Sequence, residues 1–161
     1  MSEHDENEQV PVNEDPTMTA NALKAMAHPL RWKILEMSGD RIKVAGDIFT
    51  YARFFFVDVD AMEYDEKAFQ KRIRKPAEAV ELLTKFRGRL EDTTAFEAAD
   101  LDKLLHDFVE AEGIKIGQII HALRVAITGQ AIGPGMFDIM AFFGRAACVE
   151  RIDRTLAKAA T

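Results

Sequence analysis

The sequence has few of the residues that cross-link a protein or anchor it in a membrane. Its 161 residues include one cysteine, Cys148, which excludes an internal disulfide and a zinc site built from several cysteines. Its apolar runs are far shorter than the roughly 18 residues that a membrane-spanning helix needs. The amino terminus is acidic and does not resemble a secretory signal. These absences predict a cytoplasmic protein without a membrane partner.

Catalytic patterns are missing as well. The four histidines, at positions 4, 28, 106 and 121, are far apart, so no helical i, i+4 pair can hold a metal ion. No glycine-rich turn follows a strand, as phosphate-binding loops require, and no nucleophile is flanked by a suitable base. We predict a protein that is not an enzyme by itself, with no metal, no cofactor and no small-molecule substrate.

The charge is distributed unevenly along the chain. The net charge is −6, and residues 1–18 hold six acidic residues and no lysine or arginine, a composition that predicts an acidic disordered tail. Residues 67–89 hold eight basic residues against two acidic ones. Such a region meets the minimum requirement for a polyanionic partner, and a solvated helix face has the same composition. The basic residues predicted to contact phosphates are Lys71, Arg72, Arg74, Lys75, Lys85, Arg87 and Arg89.

Hydrophobic spacing predicts helices. Apolar residues recur at i, i+3, i+4 and i+7 between Asp100, the expected cap, and Gly113. The same spacing runs from Ile116 to Ile127, where Thr128-Gly129 ends the helix. Further helices are predicted after a cap at Asp65, from Pro76 to Leu90, and at about 135–143 and 145–159 with a hinge at Gly144. Without a convincing period-2 run, the chain is predicted to be an all-α helical bundle.

The domain organisation follows from these patterns. We predict a tail at residues 1–18 and a helical domain at 19–161, with two helical subdomains at about 19–92 and 93–161 as the alternative division. Residues 23–35, LKAMAHPLRWKIL, resemble the first helix of small winged-helix repressors. No recognition helix follows them, because acids and three consecutive phenylalanines come next. A DNA-binding regulator is therefore a minor alternative.

The stretch HALRVAITGQAIGPGMF, residues 121–137, combines an arginine with a glycine-rich turn. On a helical wheel Arg124 lies about 90° from the centre of the apolar stripe, so its guanidinium can remain at the rim of the core. A guanidinium beside the free N–H groups of a helix start suits a phosphate or an unpaired base. An ordinary helix–helix corner shows the same pattern.

Residues 114–159, IKIGQIIHALRVAITGQAIGPGMFDIMAFFGRAACVERIDRTLAKA, resemble the C-terminal, anticodon-binding end of bacterial glutamyl-tRNA synthetases. That family has a phrase of the form L-R-x-A-L-T-G, a short loop with Pro-Gly, and then a Leu-Gly and an Arg-Leu pair. Here the two pairs are Phe143-Gly144 and Arg151-Ile152. The resemblance spans about residues 38–160, in order along the chain.

The resemblance implies a tRNA-binding protein, with tRNA of the glutamate or glutamine type as partner. Gly133 stands where the family usually has a small hydroxyl residue, which removes a side-chain hydrogen bond to a base, and Ala122 replaces a usual proline. The anticodon contacts, carried over residue by residue, would fall on Arg124, Thr128, Gly129, Gly133, Pro134 and Gly135.

The catalytic signatures of that family, of the His-Ile-Gly-His and Lys-Met-Ser-Lys-Ser types, are absent from the sequence. The resemblance therefore implies a free-standing anticodon-binding protein that does not charge tRNA alone and helps a synthetase in trans. Two alternatives remain open: a protein-interaction module that docks on a synthetase or another partner, and the C-terminal piece of a split synthetase gene.

Overall fold

The computed structural model describes residues 53–55 and 57–161. The predictions of an acidic tail at 1–18 and a winged-helix-like segment at 23–35 lie outside the described residues, as does the resemblance before residue 53. Across the described ranges the secondary structure is helical and contains no strand, which confirms the all-α prediction. None of the helices in these ranges is long and apolar enough to cross a bilayer.

Six α-helices follow one another in the described part of the chain. The first, α1, is Glu66–Phe69, and a π-helical turn at Gln70–Arg74 continues it. The others are α2 Ala79–Asp92, α3 Ala98–Glu112, α4 Ile120–Thr128, α5 Met136–Phe143 and α6 Arg145–Ala160. Short 3₁₀ helices occupy Arg53–Phe55, Val59–Ala61 and Ile116–Gln118.

Local hydrogen bonding sets where the helices begin. The Asp65 carboxylate caps α1, as predicted, and accepts hydrogen bonds from the backbone N–H groups of Lys67 and Ala68 at 2.9 and 3.1 Å. The predicted cap at Asp100 is wrong, because α3 begins at Ala98 and its cap is Glu97. The Asp100 carboxylate accepts from the Glu97 N–H at 3.3 Å, so Asp100 is the second member of a capping box.

Two further boundaries differ from the sequence prediction. Pro76 does not lie in the first turn of α2, which begins at Ala79 and extends to Asp92. Because proline has no N–H, the helical segment that precedes Pro76 cannot continue through it. The Pro76 carbonyl instead accepts a hydrogen bond from the Ala79 N–H at 3.2 Å, just where α2 begins. The apolar run from Ile116 to Ile127 is also split, since its first turn is a 3₁₀ helix and α4 begins at Ile120.

The helices end at the glycines where the sequence predicted their ends. Gly113 and Gly129, with φ values of 65° and 76°, have the left-handed conformation that glycine adopts most easily after a helix. Gly144 also has a positive φ, 80°, with an extended ψ of 169°, a combination that only glycine adopts readily. The Gly144 hinge places α5 and α6 at 136–143 and 145–160, which confirms the predicted final pair.

One hydrophobic core connects these helices. α6 packs against α2, α4 and α5, while α3 packs against α5. The largest fully buried side chains include Phe69, Phe86, Leu105, Leu123 and Ile139. Because α2 and α6 pack directly, described residues on both sides of position 92 share this core. The division into two subdomains stays a prediction.

Candidate nucleic-acid interface

The corner after α4 is pinned to the segment that precedes α1. The Asp65 N–H donates to the Gly129 carbonyl at 2.8 Å. A Cβ atom on Gly129 would overlap the carbonyl oxygen of Glu63, so the close approach and the positive φ both require glycine there. Residues 129–135, which we call the corner loop, therefore start from a fixed position.

Thr128 shapes the corner loop from inside. Its side chain is 1% exposed, its hydroxyl donates to the Arg124 carbonyl at 2.8 Å, and the same oxygen accepts from the Gln130 N–H at 3.1 Å. These bonds satisfy the hydroxyl within the protein. Thr128 can thus position the loop without touching a ligand.

Arg124 braces the corner loop. Its side chain is half-buried, and Nη1 donates to the Pro134 carbonyl at 2.8 Å. A Cβ atom on Gly133 would lie 3.3 Å from the same Nη1, so the loop backbone passes very close to the guanidinium. The sequence placed this group at the rim of the core. The structure shows in addition that the loop holds it there.

The start of α5 carries one carboxylate. Gly135 is the N-cap and provides no side-chain cap, and a Cβ atom built on it would come within 2.6 Å of Asp138 Oδ2. A carboxylate in the first turn stabilises the positive end of the helix dipole and competes with an incoming anion for it. The Arg124 guanidinium and the corner loop are therefore the main candidates for ligand contact at this corner.

The first half of the basic stretch lies beside α4. Lys71 and Arg72 belong to the π turn, which packs against that helix. Partial desolvation lowers the pKa of His121 on α4, and the positive charges of Arg72, Arg124 and Lys71 lower it further. A groove of ≈ 680 Å³ continues along this side and is lined by Glu66, Lys67, Gln70, Lys71, Arg74 and Lys75.

Arg74 differs from its neighbours in this groove, since its Nη2 donates to the Lys158 carbonyl at 3.2 Å and its guanidinium lies over the Phe69 ring, 5.7 Å from the centroid. Lys71, Arg72 and Lys75 make no ion pair with another described residue. Of these three, Lys71 and Lys75 line the groove, and Arg72 lies next to Lys71 in the π turn.

The second half of the basic stretch is neutralised. Lys85 pairs with Glu112 at 2.7 Å and Glu81 at 2.9 Å, and the hydrogen bonds to these carboxylates raise its pKa. Arg87 binds Asp153 with two bonds of 2.6 and 2.9 Å and also Glu91 at 2.6 Å, and Asp153 contributes most to its raised pKa. These pairs join α2 to α3 and α6.

Arg89, the last of the predicted phosphate contacts, is exposed and makes no ion pair within the described ranges. The structure therefore places Lys71 and Arg72 in the turn that packs against the Arg124 helix, with Lys75 directly after it, and engages Lys85 and Arg87 in ion pairs. All seven remain predictions as RNA contacts.

Sequence reasoning missed the part played by Arg151. This arginine is 3% exposed, and its guanidinium lies 3.9 Å from the centroid of the Phe143 ring. Nη1 donates to the Ile127 carbonyl at 2.7 Å and Nη2 to the Phe54 carbonyl at 3.0 Å. Burial lowers its pKa. Arg151 thus connects the end of α4, just before the corner loop, to the start of the described chain.

A signal for this role was present in the sequence. In α6 the buried residues Cys148, Arg151, Ile152 and Thr155 follow at i, i+3, i+4 and i+7, so an arginine occupies the apolar stripe. A charged residue at such a position must find hydrogen-bond partners inside the protein.

The corner loop also borders a cleft that the sequence did not predict. It has a volume of ≈ 590 Å³, and its walls include Phe54, Met62, Tyr64 and Ile132. Ile132, at the loop, is 63% exposed. The lining of the cleft is largely apolar and also includes Glu63 and Asp65, so a flat ring can pack on Ile132 while the cleft carries some negative charge.

The described residues do not form a metal site or a reactive thiol. Among the described residues no group of three His, Cys, Asp or Glu side chains can hold a metal ion. Cys148 is buried, which raises the pKa of its thiol to about 12 and disfavours the reactive thiolate.

Comparisons with known proteins agree with this geometry. The profile of the anticodon binding domain matches residues 14–156. The chain is 37% identical over 123 residues to glutamate–tRNA ligase of Herpetosiphon aurantiacus. The aligned residues cover 76% of this chain and 24% of that protein. It is 36% identical over 115 residues to the Moorella thermoacetica enzyme, covering 71% and 23%. The chain therefore spans about a quarter of the length of these curated relatives.

A solved structure has the same fold. The crystal structure of a glutamate tRNA ligase from Elizabethkingia meningosepticum superposes with a TM-score of 0.73 at 23% sequence identity. The superposition covers 88% of this chain and 28% of that chain.

Proposed function

This chain belongs to the anticodon-binding domain family found in glutamate–tRNA ligases, and on that premise we propose that it binds the anticodon loop of a tRNA. The family membership confirms the resemblance drawn from residues 38–160. Joining glutamate to tRNA is the work of the much longer relatives. For these residues we propose tRNA binding alone, in the cytoplasm, with activation of glutamate belonging to a catalytic half in trans.

The observation that supports this proposal is the placement of cationic side chains on α4 and on the π turn packed against it, with Arg124 of α4 bonded to the glycine- and proline-containing corner loop. Arg124 contacts the corner loop, and the π turn brings Lys71 and Arg72 to the same helix. An anticodon loop presents splayed bases and closely spaced phosphates. Guanidinium planes take the bases and lysines take the phosphates, so both kinds of partner are present at one place.

The held position of Arg124 favours binding. Because the Pro134 carbonyl fixes the guanidinium, little side-chain freedom is lost when a base or phosphate meets it. Gly133 adds no side chain to the loop, and this lets its backbone lie against Arg124 Nη1. The cleft beside Ile132 is the place where we expect an unpaired base to pack.

The tRNA we propose is of the glutamate type, since the curated relatives are named for it. A glutamine-type tRNA is the next substrate to test. The protein-interaction alternative differs in its requirement, because a module that docks on a synthetase would be recovered with that protein after RNA has been digested.

A filter-binding titration with the full chain tests the proposal. We expect glutamate-type tRNA to bind, and its affinity to fall steeply between about 50 and 200 mM salt as counterions compete. Arg124→Ala should weaken this binding by about 1–3 kcal/mol, the usual cost of losing an arginine that reads a base. The effect should be smaller for an unrelated tRNA.

Arg145→Ala is the matched control. Arg145 is also a half-buried arginine that donates to a loop carbonyl, that of Thr94 at 3.3 Å, and it lies on α6 away from the π turn. Circular dichroism verifies the fold of both variants. Salt-independent binding, or equal losses for Arg124→Ala and Arg145→Ala, would contradict the proposal.

A further inference from the structure

We propose that His121, Lys71 and Arg72 form a phosphate-binding site beside Arg124, and that occupation of this site by the RNA backbone makes tRNA affinity depend on pH. The inference rests on the proposed function and adds a residue to which the sequence analysis gave no role.

The geometry of two elements assembles this site. His121 is the second residue of α4 and is exposed, and Arg124 follows three positions later, on the same side of the helix. The π turn that carries Lys71 and Arg72 packs against α4. Lys71, which also lines the basic groove, thus belongs to the element that packs against the helix of His121 and Arg124.

The charges around His121 are positive. Partial desolvation lowers the pKa of His121 below its usual value, and the positive charges of Arg72 and Lys71 from the π turn and of Arg124 from its own helix lower it further. Glu78, from the neighbouring start of α2, is contacted by the Gln118 amide at 3.5 Å and is not among the groups that shift this pKa. In the free protein the imidazole is therefore mostly neutral at neutral pH.

A bound phosphate reverses this balance. Its negative charge screens the three cations and accepts a hydrogen bond from the imidazolium, and both effects raise the pKa of His121 in the complex. Because the complex then binds more protons than the free protein, binding takes up a proton. Affinity should rise as pH falls through the pKa of the complex and level off below the pKa of the free protein.

His106 provides an internal comparison. It is exposed on α3, and its Nδ1 lies 3.4 Å from an Asp102 carboxylate oxygen and 2.9 Å from the Asp102 carbonyl. His106 is on a different helix from Arg124, so replacing it should leave the pH dependence of tRNA binding unchanged.

The test measures the dissociation constant of glutamate-type tRNA at about pH 6, 7 and 8 and constant salt, a range that spans the usual histidine pKa. We expect the wild type and His106→Gln to bind roughly three- to tenfold more tightly at the lowest pH. His121→Gln should keep most of the affinity seen at high pH and lose the pH dependence. An unchanged pH dependence in His121→Gln would overturn the inference and leave the proposed function intact.

An NMR titration of the His121 ring gives a second readout on the unaltered protein. We expect its pKa to lie below the usual value in the free protein and to rise when tRNA is added. A His121 pKa that tRNA leaves unchanged would overturn the inference as well. Failure of the wild type to bind tRNA at any pH would instead contradict the proposed function.

Discussion

The basic stretch contains two pairs of cations with different surroundings. One pair, Lys71 and Arg72, lies in the π turn, and the other, Lys85 and Arg87, lies in α2. The first pair lies beside the Arg124 helix and makes no ion pair with another described residue. The second pair is held by four carboxylates, those of Glu81, Glu91, Glu112 and Asp153. A count of charges along the sequence treats the two pairs alike, although only the first can attract a polyanion without losing a partner.

The first pair is available to a ligand, whereas the second pair is engaged in ion pairs within the protein. A phosphate that approached Lys85 or Arg87 would have to displace a carboxylate at hydrogen-bond distance, so the exchange would gain little. The same carboxylates join α2 to α3 and α6 and contribute to the packing of the bundle. Three double variants measure this contrast and are given from the largest expected effect to the smallest.

The largest effect should come from the open pair. In Lys71→Gln/Arg72→Gln we expect tRNA affinity at about 50 mM salt to fall on the order of tenfold, because two phosphate contacts are lost. The slope of log affinity against log salt should become shallower by about 1.4 to 1.8. Filter binding over a range of salt concentrations measures both quantities.

A smaller effect on binding is expected from the neutralised pair. Lys85→Gln/Arg87→Gln removes the same formal charge, so it is the control for net charge as well as a prediction. We expect affinity to change less than about threefold, with little change in salt slope. The melting temperature should fall slightly, since contacts between helices are lost. Equal losses of affinity in the two double variants would show that net charge matters and position does not.

The smallest effect should come from releasing the neutralised pair. Glu112→Gln/Asp153→Asn removes carboxylates from Lys85 and Arg87, and we expect tRNA affinity to rise by about twofold at low salt as these cations become available. Glu110→Gln/Glu150→Gln is the matched control, because it removes the same charge from the same two helices without touching an ion pair. An equal rise in both would attribute the gain to overall charge.

The fold was largely predictable because its signals are local. Glycines at 113, 129 and 144 end helices through their own backbone freedom, and Asp65 caps α1 through atoms two and three residues away. Where prediction went wrong, a neighbouring residue was the better cap, as Glu97 was for α3, or a proline lay just ahead of the helix instead of inside it.

The site was less predictable because it depends on distant partners. Glu112 lies 27 positions from Lys85, and Asp153 lies 66 positions from Arg87, so no local pattern announces these pairs. Arg124 was recognised from its spacing on the helix, while its bond to the Pro134 carbonyl depends on how the corner loop folds back. The nearness of Lys71 and Arg72 to α4 likewise follows from packing between elements far apart in the chain.

The π turn at Gln70–Arg74 has a consequence for how this protein tolerates changes in length. It is closed by a bond of 2.9 Å from the Lys75 N–H to the Gln70 carbonyl, and such a turn holds one residue more than an α-helical turn. A one-residue deletion within this turn can therefore be absorbed by a return to α-helical geometry, with Phe69 kept in the core. A deletion within α2 has no such reserve and would rotate one part of that helix against the other by about 100°. Changes of one residue in length should therefore be tolerated in the π turn and not in α2.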